Sequence, residues 1–272
     1  MNHGEMSPRS DRIALVTGAN QGVGLQAAKE LVANGLTVLV GSRQFERGEA
    51  AAKEIGPGAI AMQIDVTDQA SITAAAGRIR NEFGRLDLLI NNAAISNTRK
   101  GSLSLEEYAE TSKASNASLE ELREVWETNV FGALAVYQAM LPLIRESSDG
   151  RIVNVSSGVG SLTTNADPSF PYHTMFGPIY PASKAALNAI TLAMMVELEY
   201  LEGLANSPEV DIDIVRRSIW ASGAVKYFWI PLSMVDALEQ RRTTLNRRPL
   251  EEAFAVWAQV VPEIFEFARR CR

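Results

Sequence analysis

The run Arg12-Ile13-Ala14-Leu15-Val16 leads directly into Thr17-Gly18-Ala19-Asn20-Gln21-Gly22-Val23-Gly24, after which apolar residues recur at helical spacing through Leu31 and Val32. Strand, glycine turn and helix, in that order, leave the chain few folds to choose from. Glycines at 18, 22 and 24 allow a tight turn and let backbone N–H groups approach a pyrophosphate at the positive end of the helix that follows. Three spaced glycines alone are also compatible with a plain tight turn. Their place after a strand and before a helix is the context a dinucleotide-binding turn requires. Thr17, Gly18, Asn20, Gln21, Gly22, Val23 and Gly24 are therefore the first candidate cofactor-binding residues.

Leu36–Val40 reads as a second strand ending in Gly41-Ser42-Arg43. At the end of this strand such folds meet the adenosine ribose. An acidic side chain there accepts from the 2′-hydroxyl, whereas an arginine pairs with a 2′-phosphate. Ser42 and Arg43 thus favour NADP(H), the alternative being that Arg43 merely caps the loop; Glu46 already belongs to the next helix. That helix runs to about Ile55, Pro57-Gly58 breaks it, and Ala59–Ile64 form a third strand closed by Asp65-Val66. Asp65 can accept from an adenine amino group or cap the helix that starts near Asp68. A helix over residues 69–83 ends at Gly84, and Leu86–Ile90 is a fourth strand leading to Asn91-Asn92-Ala93-Ala94. The alanines permit close backbone approach to a cofactor, and the asparagines can fasten neighbouring loops. Asn91 and Ala93 join Asp65 and Val66 as cofactor candidates.

Residues 95–117 are polar and read as an elaborated loop with a short helix around Leu105–Ala109. Ser118 and Glu121 have the spacing of a capping box, opening a long helix that carries Asn129 and ends beyond Pro142. An asparagine buried in an apolar helix is costly without partners, so Asn129 either bonds other groups or holds water. The fifth strand, Arg151–Val155, runs into Ser156-Ser157-Gly158, placing hydroxyls where an open parallel sheet binds its ligands. Strand–helix alternation without an internal repeat predicts an α/β protein with a doubly wound parallel sheet. The expectation is a single domain over residues 12–272 behind a loose tail of residues 1–11.

Tyr180-Pro181-Ala182-Ser183-Lys184 runs into a further apolar-periodic stretch, Ala185–Leu201. Tyr180 and Lys184 then share one helical face about one turn apart. A phenol with an unperturbed pKa of about 10 is a poor acid or base at neutral pH, and a neighbouring ammonium favours its ionised form. The pair suits proton transfer to a carbonyl oxygen. In isolation it is more often a core tyrosine and a solvated charge, and its weight comes from the stretches that precede it.

Composition removes other classes. With 46% hydrophobic and 21% charged residues the chain is an ordinary soluble globular protein. Its net charge of −6 and pI near 5.2, with scattered basic residues, argue against a nucleic-acid partner. The single cysteine, Cys271, precludes an intramolecular disulfide and offers no cysteine-based zinc site, and no metal is expected. Val130–Ile144, the most apolar long segment, holds Gln138 and Pro142 and is too short to cross a bilayer. Met1–Asp11 lack the apolar core of a signal peptide, so a cytoplasmic protein is expected.

Thr17-Gly18-x-x-x-Gly22-x-Gly24, Asn91-Asn92-Ala93-Ala94, Asn129, Ser157 and Tyr180-x-x-x-Lys184, in this order, resemble the single-domain short-chain dehydrogenases/reductases. The resemblance covers residues 12–205 and is closest to the carbonyl-reductase-like branch that prefers NADP(H). It implies hydride transfer between NADP(H) and a carbonyl or secondary alcohol of a small or medium apolar molecule. Tyr180 would be the general acid/base, and Lys184 would lower its pKa and bind the nicotinamide ribose. Ser157, rather than Ser156, would hold the substrate oxygen, and Asn129 would position a proton-relay water.

Two departures from the family pattern stand out. The gap between Ser157 and Tyr180 is longer than usual and holds Phe170, Pro171, Tyr172, His173, Met175 and Phe176. This insertion could form an apolar substrate wall or pack on the surface, with His173 read as a loop histidine. In related carbonyl reductases an insertion here blocks the usual helix–helix dimer, which leaves monomer and homodimer both open. Farther on, Val210, Ile212 and Ile214 alternate with Asp211 and Asp213, as in an edge strand, and no Pro-Gly pair follows. Leu250, Phe254, Trp257, Val261, Ile264, Phe265 and Ala268 recur at helical spacing. The sheet is therefore expected to end at a sixth strand, without the usual seventh, and residues 202–272 to be divergent and largely helical. These departures keep a second reading beside the enzyme: a catalytically weak or silent nucleotide-binding sensor or interaction protein on the same fold. A structural protein that binds no nucleotide leaves the glycine turn and Arg43 unexplained.

Overall fold

Four consecutive apolar residues, Ile13–Val16, are all buried and form β1, as a strand covered on both faces must be. The computed structural model describes residues 12–98, 107, 110–170 and 173–205. Within them β2 (Thr37–Ser42), β3 (Ala59–Gln63), β4 (Leu88–Asn91) and β5 (Arg151–Asn154) complete a five-stranded sheet of order β3-β2-β1-β4-β5. The pairings of β1 with β2 and β4, and of β2 with β3, are parallel, with Ala14 opposite both Val38 and Leu88. Helices α1 (Gly22–Ala33), α2 (Phe45–Ile55) and α3 (Gln69–Phe83) connect the first four strands. This is a Rossmann-like α/β fold. The sixth strand, the C-terminal helices and the tail of residues 1–11 lie outside the described residues, as does part of the short helix expected around Leu105–Ala109.

The described residues group into two compact units, one of residues 12–93 with Val136–Ile152, the other of Ala94–Ala135 with residues 153–205. In the first, β2 continues two residues beyond the expected Val40. Gly41 makes this possible, since a Cβ there would lie 2.7 Å from the Val16 carbonyl oxygen. β4 begins two residues later than expected: the Leu86 amide goes to the Leu143 carbonyl, while the Asp87 amide already reaches the β1 carbonyl of Ile13. Asp87 itself is buried and accepts from the Ile13 amide (2.7 Å), the Ser147 hydroxyl (2.5 Å) and the Arg85 guanidinium (3.1 Å). Burial pushes its pKa up, but these donors outweigh burial and hold it below the usual carboxylate value. Helix α3 ends as expected at Gly84, in the left-handed conformation with φ of 74°.

In the second unit the long helix expected after Ser118 is interrupted. Helix α4 (Leu119–Trp126) passes through a π-turn at Glu127–Gly132 before α5 (Ala133–Ile144) resumes the ordinary ladder. The capping box is half formed. Ser118 accepts from the Glu121 amide (3.3 Å), but the Glu121 carboxylate turns to the backbone N–H and hydroxyl of Thr98 instead of reaching back to the cap. A short helix α6 (Leu162–Ala166) precedes the insertion, a 3₁₀ turn at His173–Met175 lies within it, and α7 runs from Tyr180 to Ala205.

Candidate active site

The glycine turn is fastened from below. Thr17 is buried, and its hydroxyl oxygen accepts from the amides of Asn92 and Ala93, each at 3.0 Å. Asn92 returns the contact, donating to the carbonyls of Thr17 (2.9 Å) and Gly18 (3.2 Å). Thr17 therefore shapes the turn from inside. Asn92, which the sequence reading left out of the site, holds it in place, and the Asn91-Asn92 pair at a strand end was the signal for it. Gly18 and Gly22 adopt φ of 63° and 61°, a region that side chains disfavour. Gly24 is needed for space: a Cβ there would come within 2.4 Å of the Asn92 amide nitrogen and 2.6 Å of the Gly18 carbonyl.

No side chain caps the start of α1, where Gln21 is the N-cap residue. Its first-turn amides at Gly22, Val23 and Gly24, flanked by half-buried Asn20 and exposed Gln21, form the positive end that an anion can occupy. The bare backbone and the turn a Cβ would fill fit the pyrophosphate of a nicotinamide dinucleotide.

At the end of β2, Ser42 is buried and its hydroxyl donates to the Gln44 carbonyl at 2.8 Å, so it shapes the loop. Arg43 is exposed and has no partner among the described residues. The same holds for Arg47 in the first turn of α2, which the sequence reading passed over. Its signal was a second cation four residues after Arg43. Of the two uses weighed for Asp65, capping goes to Asp68, which accepts from Ala70. Asp65 instead closes a local turn, one carboxylate oxygen accepting from the amide (3.0 Å) and hydroxyl (2.8 Å) of Thr67. Val66 and Asn91 are buried, and the backbone of half-buried Ala93 lies against Gly18, 2.9 Å from where a Cβ would project.

In the second unit the structure brings Asn129, Tyr180 and Lys184 around the first turn of α7. Asn129, buried in the π-turn, accepts from the Ile95 amide and donates to the Ile95 carbonyl, both at 2.8 Å. Its amide also donates to the Ser183 hydroxyl at 3.1 Å, and that hydroxyl donates to the Tyr180 carbonyl at 2.7 Å. Both ends of the asparagine are therefore engaged by protein groups. Lys184 is 2% exposed, and its ammonium donates to the Val155 carbonyl at 2.8 Å while lying 5.7 Å from the centre of the Tyr180 ring. Burial lowers its pKa to about 8, which leaves it mainly cationic at neutral pH.

The two adjacent serines differ in their commitments. Ser156 donates to the Asn188 side chain at 2.5 Å. Ser157 sits on extended backbone, and its hydroxyl has no partner among the described residues. The turn after it approaches α7 closely, because Gly160 has no Cβ to strike the Lys184 backbone 2.8 Å away. His173 is a loop residue: its Nδ1 donates to the Asn165 carbonyl at 2.7 Å, tying the insertion to α6. Among the described residues no cluster of three His, Cys, Asp or Glu side chains could hold a metal, and no helix is long and apolar enough to cross a membrane.

Residues 12–202 match the family model described as short chain dehydrogenase. The short-chain dehydrogenase anuI of Penicillium roqueforti is 39% identical over 197 residues, 69% of this chain and 73% of its own. The (−)-isopiperitenone reductase of Mentha piperita is 37% identical over 182 residues, 56% of this chain and 58% of its own. The chain spans little more than half the length of several of its curated relatives. A solved metagenomic short-chain oxidoreductase in complex with NADP is 26% identical and superposes with a TM-score of 0.57, covering 71% of this chain and 79% of its own. The glycine turn, the Tyr180–Lys184 pair and the match over residues 12–202 agree, and the chain belongs to the short-chain dehydrogenase family.

Proposed function

We propose that the protein is an NADP(H)-dependent oxidoreductase that interconverts a carbonyl and a secondary alcohol on a small or medium apolar molecule. The observation that carries this reading is the buried Lys184 ammonium beside the Tyr180 ring, because it stabilises the phenolate that remains after Tyr180 has given up its proton. The bound cofactor would supply or accept the hydride. Tyr180 would protonate the developing alkoxide, and the uncommitted Ser157 hydroxyl would donate to the same oxygen. Asn129 would hold the π-turn to the first turn of α7. With its side chain engaged by Ile95 and Ser183, a relay water would have to bind a backbone carbonyl instead. Arg43 and Arg47 support a preference for the 2′-phosphorylated cofactor, and the Ser42 hydroxyl, spent on Gln44, would contribute only through the loop shape.

Fluorescence titration with NADPH and NADH, followed by a panel of aldehydes, ketones and diketones, tests the reading. Tighter binding of NADPH and its oxidation by at least one carbonyl are expected. Tyr180→Phe should abolish that turnover while keeping cofactor affinity within about a few-fold, since it deletes one hydroxyl and little packing. Binding without turnover across the panel would instead favour a catalytically silent nucleotide sensor.

A further inference from the structure

The backbone entering α7 passes over one of its own carbonyls. Pro181 brings no N–H. The Ala182 amide goes to the Gly177 carbonyl and the Ser183 amide to the Ile179 carbonyl, each at 3.2 Å. The Pro178 carbonyl between them receives no amide among the described residues, and the Trp126 indole donates to it instead, at 3.1 Å. A half-buried carbonyl without a donor is costly, so the side chain does here what a helix amide does elsewhere. The neighbours of Pro178 are held as well. Gly177 lies so close to the chain before α4 that a Cβ would come within 2.2 Å of the Ser112 carbonyl oxygen, and Ile179 is buried. Trp126 is the last residue of α4. Asn129, one turn farther on, donates to the Ser183 hydroxyl, which in turn donates to the Tyr180 carbonyl. One stretch of chain thus grips the Tyr180 backbone both before and after the proton donor.

We propose that Trp126 is a positioning residue for the proton donor: its indole N–H fixes the backbone entering Tyr180 and so keeps the phenol in register with the Lys184 ammonium. The inference rests on the proton-transfer role proposed above for Tyr180, and it adds a residue that acts through that one. Lys184 is the charged group that faces the ring, with its ammonium 5.7 Å from the ring centre. The pull of a charge on an ionising group falls with distance. A displacement of the Tyr180 backbone therefore changes how strongly the phenolate is favoured.

The test is kcat against pH for oxidation, with NADP+, of the alcohol that corresponds to the best ketone of the panel above. Tyr180 must be ionised to accept the proton, so kcat rises through the apparent pKa of the Tyr180 and Lys184 pair. Trp126→Phe keeps a ring and removes the N–H. It should move that pKa up by about half a unit or more and lower kcat at pH 7 about threefold or more, with NADPH affinity within about twofold. Trp126→His restores a donor, because an imidazole Nε2 can stand where the indole Nε1 stands, and it should recover most of the shift. Where the phenylalanine variant fails to fold, Gly177→Ala carries the test: it leaves Trp126 in place, pushes the segment off Ser112, and should give the same upward shift. An unmoved profile, a rate loss without a shift, or a shift that histidine does not recover would overturn the inference and leave the reductase reading standing. A wild type that turns over no ketone or alcohol would overturn that reading and this inference together.

Discussion

Asn129 holds Ile95 by both of its backbone polar groups, receiving the amide and donating to the carbonyl at 2.8 Å each. A side-chain amide presents a donor and an acceptor side by side, so one asparagine in a π-turn does for Ile95 what a neighbouring strand would do. Alanine at 129 would strand both Ile95 groups and remove the donor to Ser183. Asn129→Ala should lower stability by about 2–3 kcal/mol. Asn129→Asp keeps the acceptor but buries a carboxylate with one oxygen against the Ile95 carbonyl, so it should recover little or none of the loss. Urea unfolding of the three proteins checks this, and full recovery in the aspartate variant would show that the Ile95 carbonyl does not depend on the amide.

Lys184 makes the fold pH-dependent on the alkaline side. Its pKa falls from 10.5 in a free chain to about 8 when folded, because burial disfavours the ammonium. Between those values the unfolded chain binds more protons than the native one, so stability rises with pH across the interval. Below about pH 8 both states are protonated and the burial cost is felt in full. Relative to Lys184→Met, which carries no proton, the wild type should gain on the order of 3 kcal/mol between pH 7.5 and 10.5. A stability difference that stays flat over this range would mean that the ammonium is not desolvated.

The serine pair separates structure from chemistry. Ser156 is bound to Asn188, so Ser156→Ala should cost about 1 kcal/mol of stability and leave most of the rate. Ser157→Ala should leave stability nearly unchanged and lower kcat/KM by about a hundredfold or more, the scale of a lost donor to a developing oxyanion. Steady-state kinetics beside thermal melts on both variants decide it, and the reverse assignment of the two losses would move the catalytic role to Ser156.

The sequence made α3 plain because its signals are local and redundant: Gln69–Phe83 with an aspartate before it and a glycine after it. Parallel strands were equally legible as apolar runs, although the end of β2 was missed, since Gly41 reads as a turn residue whether or not the strand continues through it. The π-turn at Glu127–Gly132 left no trace. A one-residue slip in backbone hydrogen bonding does not alter the apolar spacing that announces a helix. Glu121 fitted a capping box locally, and only the loop around Thr98 competes for its carboxylate. The sequence names candidate residues by type and spacing, but which hydroxyl is spent internally, as in Thr17 and Ser42, depends on partners that spacing does not record.

Cofactor recognition divides into a part shared by both nicotinamide dinucleotides and a part that tells them apart, and two substitutions separate them. Gly24→Ala introduces a Cβ within 2.4 Å of the Asn92 amide nitrogen and 2.6 Å of the Gly18 carbonyl. The Asn92 bond to that carbonyl, 3.2 Å long, has to give way, and the turn above it shifts. Overpacking of this kind costs about 1–3 kcal/mol, or roughly ten- to a hundredfold in affinity. Because the pyrophosphate is common to both dinucleotides, NADPH and NADH should weaken equally. Arg43→Asp touches no packed group, since the side chain is exposed, and it should weaken NADPH far more than NADH by setting a carboxylate against the 2′-phosphate. Titration of both variants with both dinucleotides gives the four affinities. Equal losses in the arginine variant would remove Arg43 from phosphate recognition, and an unequal loss in the glycine variant would mean that the turn reads more than the pyrophosphate.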